Sequence, residues 1–215
     1  MKRPILINHN REKLLNALVY FSKNTNFCGK TKLFKLLYFL DFINFRETGK
    51  SVTGLNYYAW DKGPVPADLF FEMNHPEGDL KDTIALIQGT RDEDAKVCKI
   101  IAKKHFDSKH FTKRELRIME ELSFIFKEAL AKDMVEVSHL PGKPWERTIK
   151  EKGQKRLIDY FLAVQDVKEK PRDYDVLFQC PPDLAKPPSR SLPLADIKER
   201  MSEIREVHEI FEDAE

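Results

Sequence analysis

Apolar residues recur along this chain in two different periods, and the change of period places the elements. Over Glu12–Phe21 they fall at Leu14, Leu15, Leu18 and Val19, the spacing of one helix face. Thr31–Glu47 carries Leu33, Phe34, Leu36, Leu37, Tyr38, Phe39, Leu40, Phe42, Ile43 and Phe45. These residues cover nearly the whole circumference, which predicts a central, buried helix. Gly49 follows as a left-handed end. Val52–Trp60 is rich in Val, Tyr and Trp and punctuated by Gly54 and Gly63, so a strand or hairpin is expected. By period two, Tyr58 and Trp60 share one strand face and are expected to pack on the Thr31–Glu47 helix. Pro64 and Pro66 then predict the opening of a helix that runs to about His75, with Pro76 closing it.

Residues 77–95 are polar and show no clear pattern, whereas Lys99–Lys103 predicts a short strand. Thr112 followed by Glu115 is a capping box. It opens a helix with Leu116, Met119, Leu122, Phe126 and Leu130 on one stripe. Asp133–Glu136 predicts a second cap and a short helix, Pro141–Pro144 a turn, and Gln154–Val164 a last apolar segment. The expected fold is mainly α (α+β): a compact helical domain with a small antiparallel β element and a C-terminal helical arm.

Composition shifts near residue 166. All eight glycines lie at or before Gly153, and six of the twelve prolines lie between Pro171 and Pro193. Proline removes amide donors and clashes with the preceding turn, so this stretch reads as an extended linker. The expected organisation is a body at 10–165, a proline-rich linker at 166–193, and an amphipathic acidic helix at 194–215. In that last segment Leu194, Ile197, Met201, Ile204, Val207 and Phe211 fall at steps of three and four, one apolar stripe. The same segment holds eight acids and three bases, net −5, so residues 1–193 carry +7 of the chain's total of +2. An isolated helix of that length is marginal in water, so the stripe needs a partner: its own basic body, another protein, or a second copy of the chain.

Charge and chemistry narrow the function classes. With 37 basic and 35 acidic residues the chain is no general nucleic-acid coat and no polybasic membrane binder. Cys28, Cys98 and Cys180 are odd in number and widely spaced, as expected for a reduced, cytoplasmic chain without a disulfide framework. The N-terminus has too short an apolar stretch for a signal peptide. An apolar run such as Leu36–Leu40, which no other run exceeds, is far too short to span a membrane. Gly29-Lys30-Thr31 matches the end of a phosphate-binding loop, but the earlier glycine is replaced by Asn24, and the preceding segment predicts helix rather than strand. Gly29 is instead a turn and Thr31 a helix cap. The six histidines form no metal-ligand spacing. Ser138 and His139 are sequence neighbours on a helix and point apart, so they make no catalytic dyad, and His139 is expected to be a hydrogen-bonded packing residue. Lys30, Lys32 and Lys35 are either a basic edge or, more simply, solvated lysines at a helix start. No catalytic, cofactor or metal site is expected, and the chain is not expected to be an enzyme.

Two stretches are more specific. The first is Lys32-Leu33-Phe34-Lys35-Leu36-Leu37-Tyr38, followed by Thr48-Gly49 and by Gly54 through Tyr58-Ala59-Trp60-Asp61-Lys62-Gly63-Pro64-Val65. The second is Glu115-Leu116, then Ser138-His139 and Pro144-Trp145. In this order they resemble the Panacea (SocA-like) antitoxin domain of bacterial and phage toxin–antitoxin pairs, over about residues 12–165. The resemblance implies a cytoplasmic antitoxin that neutralises its cognate toxin by direct binding, without catalysis or cofactor. It marks Lys32, Lys35, Leu36, Tyr38, Gly49, Gly54, Tyr58, Trp60, Gly63, Pro64, Val65, Ser138, His139 and Trp145 as fold-defining or partner-binding positions. The domain serves many unrelated toxins, so it does not identify the toxin. Some members carry an added DNA-binding domain, for which this chain is expected to have no room. The alternatives are a DNA-binding autoregulator, which would need a basic face, and a phage or mobile-element adaptor. A homo-oligomer is compatible with either; a membrane or nucleic-acid partner is not expected.

Overall fold

The computed structural model describes residues 10–90, 96–164, 195 and 198. In chain order its helices and strands are α1 Arg11–Asn24, α2 Lys30–Thr48, β1 Tyr57–Trp60, β2 Gly63–Pro66, α3 Ala67–Glu72, α4 Gly78–Thr83, β3 Ile84–Thr90, β4 Lys96–Ala102, α5 Lys113–Ile125, α6 Ala131–Ser138 and α7 Pro144–Lys152. Short 3-10 turns at Ser108–His110 and Tyr160–Ala163 complete them. The fold is mainly α with small antiparallel β elements, as its sequence pattern predicts.

The helix ends follow local chemistry. The Asn10 side chain accepts from the Lys13 amide and starts α1. Gly49, at φ 69°, ends α2 in the left-handed region. Thr112 and Glu115 satisfy each other's backbone amides at the start of α5. Pro144 occupies the first turn of α7, where its missing N–H costs nothing.

Helix α2 is the axis of the fold. Thirteen of its residues are buried, on all sides. Around it pack α1, α5, α6, β2, β4 and the 160–163 turn. Phe39 stacks on Phe126 at 5.4 Å, and Phe42 on Tyr160 at 4.4 Å. The β1–β2 hairpin pairs Tyr57 with Pro66 through Trp60 with Gly63. The other edge of β1 is also taken: Ala59 donates to Arg156 and accepts from Lys155, while Tyr57 accepts from Ile158. The β3–β4 ribbon pairs Ile84 with Ala102 through Thr90 with Lys96 and leans on α1.

A buried carboxylate in mid-α2 organises the approach to the hairpin. Asp41 is fully buried and accepts from the Val52 and Thr53 amides at 2.8 and 2.7 Å, and from the Tyr57 hydroxyl at 2.7 Å. The Thr53 hydroxyl is a fourth donor at 2.5 Å. Burial pushes the Asp41 carboxyl upward, and the four donors oppose that shift. Residues 52–56 therefore form an anchored loop rather than the first half of a strand.

Four expectations change. Gly63–Pro66 is strand β2 and not a helix start; α3 begins only at Ala67. Each proline can sit in this short strand because a two-stranded hairpin leaves half its amides unpaired in any case. Residues 77–90 form α4 and β3, because a long-range partner, β4, decides the structure of a weakly patterned segment. Gly29, not Thr31, caps α2. Helix α6 begins at Ala131, and Asp133 acts from inside it, accepting from the Leu130 amide at 2.7 Å. The linker at 166–193 lies outside the described residues. So do Leu194, Ile197, Met201, Ile204, Val207 and Phe211.

Replacing Asp41 with Ala strands four buried donors at once. The expected loss is about 3–5 kcal/mol in urea unfolding, the usual cost of breaking a buried charged network. Tyr57→Phe, which removes a single donor, should cost no more than about 1–2 kcal/mol.

Candidate functional site

The motif residues of α2 do not form the basic edge that their spacing allows. Lys32 and Lys35 are both buried, at 0% and 1% exposure. A helix enclosed on every side leaves a lysine no solvent to reach, so each ammonium must find oxygen inside the protein.

The two lysines solve this differently. Lys32 Nζ donates to the carbonyls of Asn26, Lys127 and Ala129 at 2.7, 3.1 and 2.8 Å. All three N–H groups are used, and the α1–α2 turn is tied to the turn after α5. Burial lowers its pKa to about 8, against the upward pull of nearby Cys28, Glu128 and Asp133. Lys35 Nζ donates to the Pro64 carbonyl of β2 at 2.9 Å, its one acceptor among the described residues. Burial alone lowers its pKa to about 7.

Lys35 lies where the separate motifs converge. Gly63 has a φ of +94°. A Cβ placed there would sit 2.6 Å from Ser138 Oγ, 2.7 Å from Lys35 Cε and 2.9 Å from Lys35 Nζ. The backbone conformation favours glycine, and any side chain there would have to displace the ends of Lys35 and Ser138. Ser138, on the inner face of α6, donates to the Val135 carbonyl at 2.8 Å. One residue on, His139 stacks on Trp145 of α7, with centroids 3.6 Å apart and planes within 5°. The Trp145 indole N–H donates to the Trp60 carbonyl at 3.0 Å. The hydroxyl of buried Tyr38 faces the Trp145 backbone amide, and Nε2 of His139 has no hydrogen-bond partner among the described residues. His139 is therefore held by ring stacking rather than by the expected hydrogen bond. Burial, and then the nearby Lys35 charge, lower its pKa and favour the neutral imidazole.

The phase of β1 is the reverse of the expected one. Tyr57 and Ala59 point into the core, while Tyr58 and Trp60 lie half-buried on the outer side. Period two holds, but the Tyr57 hydroxyl is claimed by Asp41, which fixes which face turns inward. Trp60 meets Phe70 of α3 edge-on at 5.1 Å, and Phe70 meets Phe71 at 5.5 Å. Phe71 is 61% exposed. His139 and Trp145 form one aromatic pair and Trp60, Phe70 and Phe71 a second run of rings, and the indole bond to the Trp60 carbonyl joins the two into an aromatic ridge across α6, α7, β1 and α3, with Lys35, Gly63 and Ser138 close to the junction.

Of the remaining motif positions, Leu36 and Val65 are core, and Pro64 supplies the acceptor for Lys35. Gly54, at φ 73°, turns the buried loop below Asp41. Gly49 lies apart, at the exposed end of α2. The sequence reading missed Asp41, Phe70 and Phe71. An acid inside an otherwise apolar helix, and a Phe-Phe pair directly after the hairpin, were the available signals. Among the described residues no three His, Cys, Asp or Glu side chains are grouped to hold a metal, and no helix is long and apolar enough to cross a membrane.

The family model described as antitoxin SocA-like, Panacea domain, matches residues 33–146. That span runs from α2 into α7 and contains the whole ridge. The chain belongs to this family of SocA-like, Panacea-domain proteins. No curated protein and no solved structure matches the chain.

Lys35 makes stability depend on pH in a defined direction. Its folded pKa of about 7 lies below the ordinary 10.5. Between those values the unfolded chain binds more protons, so stability rises with pH across that window. Below pH 7 the penalty is complete and constant. A lowering of this size corresponds to roughly 4–5 kcal/mol, offset in a Lys35→Met variant by the orphaned Pro64 carbonyl at about 1–3 kcal/mol. Lys35→Met should therefore be more stable than the parent by about 2 kcal/mol near pH 7, with the gain lost towards pH 10. Parallel urea curves for the two proteins at every pH would contradict a buried, titrating Lys35.

Proposed function

We propose that this chain is an antitoxin that silences a cognate toxin by direct, stoichiometric protein–protein contact through the aromatic ridge. The observation that carries the proposal is the ridge itself: five aromatic rings from four elements, partly exposed and tied together by the Trp145–Trp60 hydrogen bond. Large, rigid aromatic side chains are the usual anchors of tight interfaces, because they bury much area and lose little rotamer freedom. Membership of a SocA-like antitoxin family supports a toxin as the partner. On this reading the body at 10–165 carries the binding surface, and the linker at 166–193 tethers the 194–215 arm. The chemistry asked of the protein is recognition: Lys35, Ser138 and His139 hold the ridge in shape and transform nothing. The setting is cytoplasmic, where such pairs act.

Co-expression with the product of the neighbouring gene should yield a stable complex of defined stoichiometry. Phe71→Asp alters the most exposed ring and should leave stability within about 0.5 kcal/mol, as for an exposed position. It should weaken toxin binding at least tenfold by calorimetry. Full relief of toxicity by substoichiometric protein, with no complex recoverable, would sink the proposal.

A further inference from the structure

We propose that in the free chain residues 194–215 dock across the outer face of α6 and towards the basic residues at the C-terminal end of α7, covering the His139–Trp145 end of the ridge. This rests on contacts and charge within the chain, and it stands whether or not the partner is a toxin.

The first observation is a contact. Ala195 and Lys198 are helical, and Lys198 Nζ lies 2.7 Å from Glu136 Oε2 on α6. Glu136 and His139 are three residues apart and so share a helix face. A segment that reaches Glu136 is therefore one turn from the His139–Trp145 stack. On a helix, Lys198 is flanked by Leu194 four residues before it and Met201 three after it. Both belong to the apolar stripe predicted for this segment. A lysine anchored on Glu136 brings that stripe against α6, where Val135, His139 and Leu140 are only partly covered by the body.

Charge is the second observation. Residues 199–215 hold seven acids and two bases. Residues 143–156 hold six bases and two acids; on α7 Arg147 and Lys150 pair with Glu151 and Glu146, and the exposed bases Lys152, Lys155 and Arg156 lie at its C-terminal end and just beyond it. The arm's one early lysine meets an acid of α6, and its acidic remainder faces a basic surface next along the chain. This alternation favours one placement of the segment over others.

Chain length permits the placement. Twenty-nine residues separate Val164 from Leu194. At about 3 Å per residue for a proline-rich linker they can reach any face of the body. An exposed ion pair contributes little alone. Tethering supplies the rest, because a covalently linked segment docks at a high effective concentration.

The test uses the full chain and hydrogen exchange. Ile197→Glu combined with Met201→Glu should make the α6 and α7 amides exchange several-fold faster, with α1 and α2 unchanged. Lys198→Glu should act in the same direction, and adding Glu136→Lys should restore protection. In the parent chain protection should not depend on protein concentration. Identical exchange in parent and variant would overturn the proposal. So would protection that rises with concentration, which would place a second copy's arm on this face.

Discussion

Helix α2 has no solvent face, yet it carries Lys32, Lys35, Asp41 and Asn44 inside the protein. Burying such groups is tolerable only where each finds hydrogen-bonding partners, and these partners are mostly backbone groups of other segments. Lys32 therefore dictates where the turns before α2 and after α5 must lie. Lys35 dictates the position of β2. Asp41 dictates the path of residues 52–57. Asn44, donating to the Lys50 carbonyl at 2.7 Å, shapes the exit of the helix itself. The loops of the protein are arranged around the polar heads of one buried helix.

The four heads do not contribute alike. Lys32 is fully satisfied by three carbonyls and behaves as a clamp. Asp41 is matched by four donors and behaves as a knot. Lys35 has one carbonyl and sits against a glycine that leaves no spare volume. Its charge is the most weakly compensated in the core, and it lies directly under the surface assembled from β1, α6 and α7. Stability is thus lowest per buried group where the motifs meet, as is common for positions retained for something other than stability.

Much of the architecture could be read in the order of residues, because periodicity reports how a helix is surrounded. Ten apolar residues in the segment at Thr31–Glu47 spread round the whole circumference, and the structure buries the middle of that helix on all sides. The Thr112–Glu115 box and Gly49 announce their helix ends through purely local chemistry. What could not be read depended on distant partners. The phase of β1 was open until the Tyr57 hydroxyl was claimed by Asp41. Strand β3 has little pattern of its own and exists because β4 pairs with it. The lysines of the α2 motif looked like surface because lysine usually is; the carbonyls of Pro64 and of residues 26, 127 and 129 turn them inward. Of the motif residues, Lys35, Trp60, Gly63, Pro64, Ser138, His139 and Trp145 come together, whereas Lys32, Gly49 and Gly54 lie elsewhere, and nothing in the motif order announces which rings are exposed.

Trp145 carries a consequence for selectivity. Its indole N–H is already bonded to the Trp60 carbonyl, and one face of the ring is covered by His139. What the side chain still presents outward is carbon. A partner that meets it gives up no indole hydrogen bond to water and need supply no matching acceptor, so polar complementarity is not demanded at that point. Selection there operates through shape and polarisability. On the proposed binding role, a surface of this kind would select by contour and leave discrimination to the charged rim around it.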